Sequence, residues 1–396
     1  FGYGSFAEAE FSFSYPTGPN LGGTYSSVAI GTDGLGLISY WDHSNDALKV
    51  AHCENADCAW KTITSLYSGE GAHTSVAIGS DGLGLISFYD SDDKDLKVAH
   101  CSDVACTSAT ITTLDAAGNV GKYTSVAIGS DGLGLISYYD ATYWDLKVAH
   151  CENTNCTTVT TTTLDQVPVE IPWSASSTIV GWYTSVAIGS DGLGLISYKG
   201  NYQGLKVAHC SDVACTSATI TTLDAAGNVG SYTSVAIGSD GMGLISYYDV
   251  DDKGLKVAHC SDVACTSATI TTLDTADDVG QHTSAAIGSD GLGLISYYDE
   301  TYGDLKVAHC ENTNCTTVTT IAPGTFSNVL FDVGLYTSIT IDSDGMSLIS
   351  YFGQNVRLLT VRLSVPQRIG IAYYDTTNDS LKFANGSSTW NAAITD

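Results

Sequence analysis

Residues 74–115 read TSVAIGSDGLGLISFYDSDDKDLKVAHCSDVACTSATITTLD, and four short strand-like runs can be picked out of them. Thr74 to Gly79 places Val76 and Ile78 on one face, and Ser80-Asp81-Gly82 follows as a tight turn, because Asp-Gly tolerates the positive φ such turns need. Leu83 to Tyr89 is apolar on both faces, as expected of a strand between stacked sheets. Leu96 to Cys101 makes a third run, and Ala109 to Leu114, alternating with Thr, a fourth. Helical periodicity is absent.

The same phrase recurs along the chain of 396 residues. Its Thr or Ser anchor falls at Ser26, Thr74, Thr124, Thr184, Thr233, Thr283 and Thr337, with spacings of 48, 50, 60, 49, 50 and 54 residues, which suits four strands and their turns. One such sheet leaves both faces uncovered. Copies packed radially cover one another and make a propeller, whereas a linear stack makes a solenoid, whose coils are usually shorter and lack these hairpins. The chain therefore reads as all-β, a β-propeller of four-stranded antiparallel blades, with residues 25–396 as a single domain. Seven blades fit best, with eight as the alternative. After the seventh A and B pair, the segments RLLTVRLS, RIGIAYYD, SLKFANG and TWNAAITD read either as a short seventh blade and an eighth, or with Arg357 to Leu363 as strand C of the seventh.

Residues 1–24 precede this array. Within them Ala7, Ala9, Phe11, Phe13 and Tyr15 alternate with Glu8, Glu10, Ser12 and Ser14, the period of a strand. It lies where a strand D of the last blade would sit. It either closes its own ring or leaves it to complete a neighbour's sheet.

Forty-three acidic against fifteen basic residues give a net charge of −28, which argues against nucleic acid and anionic membrane surfaces as partners. No apolar run is long enough to span a bilayer. The chain starts at Phe1, consistent with a signal peptide already removed. Its twelve cysteines form six Cys-x4-Cys pairs: Cys53/Cys58, Cys101/Cys106, Cys151/Cys156, Cys210/Cys215, Cys260/Cys265 and Cys310/Cys315. An even count in one local spacing suits disulfides and an extracellular, secreted or cell-surface protein. Each bridge is expected to join the end of strand C to the start of strand D, where two hairpin positions can face each other at disulfide distance. A histidine precedes the first cysteine of each pair, but thiolate metal sites use Cys-x2-Cys, and adjacent strand residues face opposite ways. His52, His100, His150, His209, His259 and His309 therefore read as packed, hydrogen-bonded groups.

ISYYD followed by LKVAHC, and IAYYDTTNDSLKFANGSSTWNAAITD at the end of the chain, resemble tandem propeller repeats of large secreted bacterial and archaeal proteins. The resemblance covers residues 25–396 and implies fold and secretion. That family carries no assigned activity, so no catalytic residue follows from it. The Cys-x4-Cys hairpin departs from the cysteine-free form, which the last unit keeps.

Three sets of residues are candidates for a site. Acidic B-to-C loops, with Asp90 and Asp95, Asp140 and Asp145, and Asp299 and Asp304, could hold calcium, against the plainer reading of a solvated rim; no other cofactor is indicated. Two D-to-A connections, 166–182 and 323–335, are more apolar than the DAAGNVG they replace. They make Trp173, Trp182, Phe326 and Phe331, with Phe11, Phe13 and Tyr15 of the N-terminal strand, the expected contact surface for a second copy or a sugar ring, against the plainer reading that the residues of the two connections cap exposed blade edges. Asn155, Asn314, Asn378 and Asn385 stand in N-glycosylation sequons. No Ser, His and Asp set or Glu pair is peculiar to one blade, and several repeats are nearly letter-identical, which suits a structural or multivalent role more than an enzyme. The leading expectation is thus a non-catalytic extracellular structural protein that binds itself into a filament or surface layer. Alternatives are a monomeric glycan-binding or adhesive propeller and, last, a polysaccharide-active enzyme.

Overall fold

The computed structural model describes residues 9–14, 23–56, 58–166, 179–200, 204–322, 333–353, 357–364, 371–375, 380–386 and 393–394; for the strands before residue 23 and after 353 it describes the backbone alone. Six four-stranded antiparallel sheets follow in chain order, each in the order A-B-C-D: blade 1 (24–68), blade 2 (71–115), blade 3 (120–165), blade 4 (182–224), blade 5 (229–274) and blade 6 (279–321). They form a β-propeller. No helix among the described residues is long and apolar enough to cross a membrane.

Strand B is buried along its whole length in most blades, as Gly84–Asp90 shows. The reason is radial packing. Leu85, Leu96 and Val98 of blade 2 close against Val126, Ile136 and Tyr138 of blade 3, and the pattern repeats between blades 3 and 4. Each buried aliphatic side chain contributes roughly 1.5–3 kcal/mol. Only Gly82 of the Ser80-Asp81-Gly82 turn takes positive φ, at 81°, while the Asp81 carboxylate accepts the Leu83 amide at 3.0 Å and meets His100 Nε2 at 2.8 Å. The same His–Asp contact ties A–B turn to strand C in all six blades.

The expectation of seven or eight four-stranded blades is corrected: there are six among the described residues. The seventh copy of the phrase, with strands Val333–Ile341 and Met346–Gly353, belongs to a larger seven-stranded sheet. Arg357–Ser364 pairs with Met346–Gly353, but its far edge is taken by Ala9–Ser14, which pairs in turn with Ser380–Gly386. Ile371–Asp375 and Ala393–Ile394 also pair with Ser380–Gly386. The strands expected to make an eighth blade thus extend the same sheet, because an exposed strand edge is filled by whatever strand is at hand.

The placement of the second cysteine in each pair is corrected as well. Cys53, Cys101, Cys151, Cys210, Cys260 and Cys310 end strand C as expected. Cys58, Cys106, Cys156, Cys215, Cys265 and Cys315, however, do not start strand D, which begins three residues later in every blade. They lie in the turn, with φ between 50° and 54°. The ladder explains the shift: Cys101 stands opposite Ala109, not Cys106. The four residues between the cysteines fold back on themselves instead, the Cys106 amide donating to the Asp103 carbonyl at 3.0 Å. Equivalent bonds run from Cys58 to Asn55, Cys156 to Asn153, Cys215 to Asp212, Cys265 to Asp262 and Cys315 to Asn312.

This closing sheet completes the ring through side-chain hydroxyls. The Ile339 amide donates to Ser284 of blade 6 and the Val28 amide of blade 1 to Ser338, each at 3.2 Å, while Ser350 bonds Ser26 at 3.0 Å. Equivalent bonds join successive blades, as Val126 to Ser75 at 3.1 Å and Thr124 to Ser87 at 3.0 Å. Buried hydroxyls paired across each junction hold neighbouring sheets in register.

Candidate functional site at the ring axis

Every anchor Thr or Ser is preceded by Tyr or His, and that residue is where strand A departs from regular geometry. Tyr25, His73, Tyr123, Tyr183, Tyr232, His282 and Tyr336 all have φ between 52° and 55°, beside a register shift in the A–B ladder. A bulge of this kind re-aims a side chain, here so that seven rings meet at the axis. Their centroids lie 4.2 to 4.6 Å apart in unbroken succession, Tyr336 closing on Tyr25 at 4.5 Å. A left-handed non-glycine residue costs on the order of 1–3 kcal/mol. Tilted aromatic contacts, worth about 0.5–1.5 kcal/mol each, offset it.

The seven rings and the hydroxyl residues after them line an axial cavity of about 170 Å³. Enclosure decides the protonation there. Burial pushes the Tyr232 phenol up to about 12 and the other ring phenols also upward. It pushes the His73 and His282 imidazoles down to about 3, with Lys122 adding to the effect at His73. The axis is therefore uncharged at neutral pH.

Outside this ring stands a second set on strand B: Trp41, Tyr89, Tyr139, Tyr248, Tyr298 and Phe352, each 6.3 to 6.4 Å from its inner neighbour. Blade 4 breaks the set with Lys199, whose Nζ donates to Ser231 of blade 5 at 2.7 Å. Both rings escaped the sequence reading. The signals were the aromatic or imidazole before each anchor and the phrase ISYKG where other blades have ISYYD, ISYWD or ISFYD.

All six expected disulfides are formed, Cys53–Cys58, Cys101–Cys106, Cys151–Cys156, Cys210–Cys215, Cys260–Cys265 and Cys310–Cys315, with Cα atoms 4.7 to 4.8 Å apart. All twelve cysteines are fully buried. They fit an oxidising setting. Trp182 lies on strand A of blade 4, opposite Lys199 and edge-on to Tyr139 at 6.2 Å. Phe11 stands opposite Ala384 and Phe13 opposite Val361; Tyr15, Trp173, Phe326 and Phe331 lie outside the described residues. Asn155 and Asn314 are exposed in their cysteine loops, Asn385 lies on strand Ser380–Gly386, and Asn378 falls outside the described residues.

The six loop aspartates are spread over three blades, each pair closing its own B–C turn: Asp90 opposite Asp95, Asp140 opposite Asp145 and Asp299 opposite Asp304. Asp90 accepts the amides of Asp92 and Asp93 and holds Lys97. Burial works against its charge, yet Lys97 and Tyr67 hold its carboxyl below the usual range. Asp140 and Asp299 likewise accept turn amides, Asp299 with Lys306 at 2.8 Å. Burial, with Asp299 nearby, pushes the Asp304 carboxyl up to about 6. Among the described residues no group of three or more His, Cys, Asp or Glu is placed to hold a metal ion. The lysine of LKVAHC, the partner of these aspartates, was not singled out in the sequence.

No protein-family model matches the chain, and no curated protein matches it in sequence. Solved structures do resemble it. A periplasmic gluconolactonase of Pseudomonas aeruginosa is 11% identical with a TM-score of 0.53, over 76% of this chain and 86% of that one. A polysaccharide lyase is 10% identical with a TM-score of 0.51, over 88% and 91%. An α-L-arabinanase of Penicillium chrysogenum, solved with arabinobiose, is 13% identical with a TM-score of 0.50, over 74% and 92%. At such identities the likeness concerns the fold alone, and that fold is a β-propeller of tandem four-stranded blades.

Proposed function

We propose that this protein is a non-catalytic structural subunit of an extracellular polymer, each copy lending its N-terminal strand to the next. The observation that carries the reading is the position of Ala9–Ser14, antiparallel to both Arg357–Ser364 and Ser380–Gly386. Without it the closing sheet divides into two pieces. A terminal strand that fills a gap in a sheet can fill the same gap in another molecule, and a head-to-tail exchange of this kind propagates without closing.

The seam beside that sheet differs from the junctions between the other blades. Tyr138, Tyr198, Tyr247 and Tyr297 each donate a phenol hydrogen to an aspartate of the preceding blade. Their counterpart in blade 1, Tyr40, is fully buried with no partner among the described residues, and so are Trp41 Nε1 and Thr24 Oγ1 beside it. Buried polar atoms left unpaired cost about 1–3 kcal/mol each. The histidines of strand C are repeated six times as turn struts.

The test is assembly of the full chain after unfolding and refolding at high concentration, viewed by negative-stain microscopy and light scattering. Filaments or oligomers are expected, and Phe11→Asp with Phe13→Asp should leave single propellers. Monomers only from the unaltered chain, or polymers undiminished in the variant, would overturn the proposal.

A further inference from the structure

Two of the seven rings at the axis differ from the rest. The phenols act on one another in two runs, Tyr123–Tyr183–Tyr232 and Tyr336–Tyr25, and His73 and His282 stand at the two breaks between those runs. The strand-C histidines each meet an aspartate, whereas His73 and His282 have no hydrogen-bond partner among the described residues. Their nitrogens are not sealed in either: both residues are half-buried and border the axial cavity. A neutral imidazole carries one donor and one acceptor nitrogen, so the cavity wall holds two of each unanswered. The hydroxyls that follow the rings are already engaged, Thr124 with Ser87 at 3.0 Å and Thr74 with the Tyr25 carbonyl at 2.8 Å.

This lining selects by chemistry. A charged ligand would leave water for a wall with no ionised group of its own, and an unpaired buried charge is costly. Glu70, Glu300 and Lys122 act on the ring from outside it, with both signs, and so favour neither anion nor cation strongly. A wholly apolar ligand would cover the imidazole nitrogens and leave them unpaired, which also costs. A neutral molecule with hydroxyls on an apolar ring meets both demands: its hydroxyls answer the imidazoles, and its C–H surface lies against aromatic rings. A cavity of about 170 Å³ is smaller than the roughly 300–1,000 Å³ that drug-sized ligands occupy. It suits a single ring.

We infer that the axial cavity binds one residue of a neutral sugar, with His73 and His282 as its hydrogen-bonding groups. This goes beyond the assembly reading and does not depend on it.

Isothermal titration of the whole protein at neutral pH tests it, with the methyl glycosides of glucose, galactose and mannose as probes and galacturonate and cyclohexanol as charged and apolar comparisons. At least one glycoside is expected to bind with a Kd on the order of 1 mM or tighter, and both comparison ligands at least about tenfold more weakly. His73→Phe with His282→Phe keeps seven aromatic rings but removes the four nitrogens, so affinity should fall about tenfold or more while a native melting transition is kept. The place of binding is read separately by imidazole NMR of the unaltered chain, which has nine histidines; His73 and His282 are the pair still neutral at about pH 5. The bound glycoside should move that pair and leave the strand-C histidines in place. No binding of any of the three glycosides, equal binding of galacturonate or cyclohexanol, or unchanged affinity in the folded double variant would each overturn the inference. Should the variant fail to fold, shifts at the strand-C histidines in place of the axial pair would overturn it.

Discussion

Phe88 stands where blades 3 to 6 carry Tyr138, Tyr198, Tyr247 and Tyr297, and the reason lies one blade away. Those phenols donate to Asp115, Asp165, Asp224 and Asp274. Blade 1 has Tyr67 in the aspartate's place; its own phenol donates to Asp90 at 2.6 Å, and its ring packs 5.4 Å from Phe88. Donor and acceptor have changed sides within one junction. Tyr67→Asp alone removes that donor and should cost about 1–3 kcal/mol, and Phe88→Tyr added to it should recover at least half. Denaturant unfolding of the cycle checks this, and coupling below about 0.5 kcal/mol would show that the two positions are independent. A second exchange concerns space. A Cβ on Gly84 would lie 2.6 Å from Leu37 and 2.9 Å from Cys101 Sγ, whereas the closing sheet, which has no disulfide there, places Ser347 at that point. Gly84→Ala should therefore lose about 1–3 kcal/mol by overpacking; a neutral result would mean the bridge and the Leu37 side chain yield freely.

The hairpin is the element on which this fold is multiplied, and its two ends are held differently. At the C–D end a disulfide closes the turn, and backbone bonds such as Ser102 to Ser108 at 2.9 Å continue the ladder around it. Closing so short a loop contributes about 2 kcal/mol in the chain-entropy description. Cys101→Ala with Cys106→Ala should lower unfolding free energy by about that amount and leave the other five bridges intact, as thiol counting would show. Loss of the whole fold would mean that the bridges act together and not locally. At the B–C end an aspartate carboxylate accepts two turn amides and a lysine. The acidic cluster there is legible in the sequence, but its role is not, because the lysine that answers it lies seven residues on, across the turn.

At the scale of the molecule, the axial ring makes stability depend on pH. His73 and His282 are held near 3 when folded, against about 6.5 in an open chain. Between those values the unfolded chain binds a proton at each histidine that the folded chain does not. Stability is therefore full above about pH 6.5 and falls as pH drops, by up to about 1.4 kcal/mol per pH unit for each histidine. His73→Tyr with His282→Tyr makes the ring all tyrosine and should flatten this decline, leaving the carboxylates to act at lower pH. Thermal melts from pH 7 to 4 would show it, and parallel curves for variant and parent would sink it. The four strands of a blade, their turns and their disulfides are fixed within some forty consecutive residues, and so alternation, Asp-Gly and Cys-x4-Cys sufficed to read them. The spacing told which cysteines pair but not that the second of each sits in the turn, since the ladder register that sets strand D is a property of the paired strands. The count of complete blades did not follow from the count of phrases, nor did the partner of Ala9–Ser14. Ser12 meets Arg362 and Ser26 meets Ser350 across nearly the whole chain, and only packing decides which free edge a strand finds. The aromatic axis and the lone Lys199 are of the same kind: each residue is local, but what it faces is contributed by another blade.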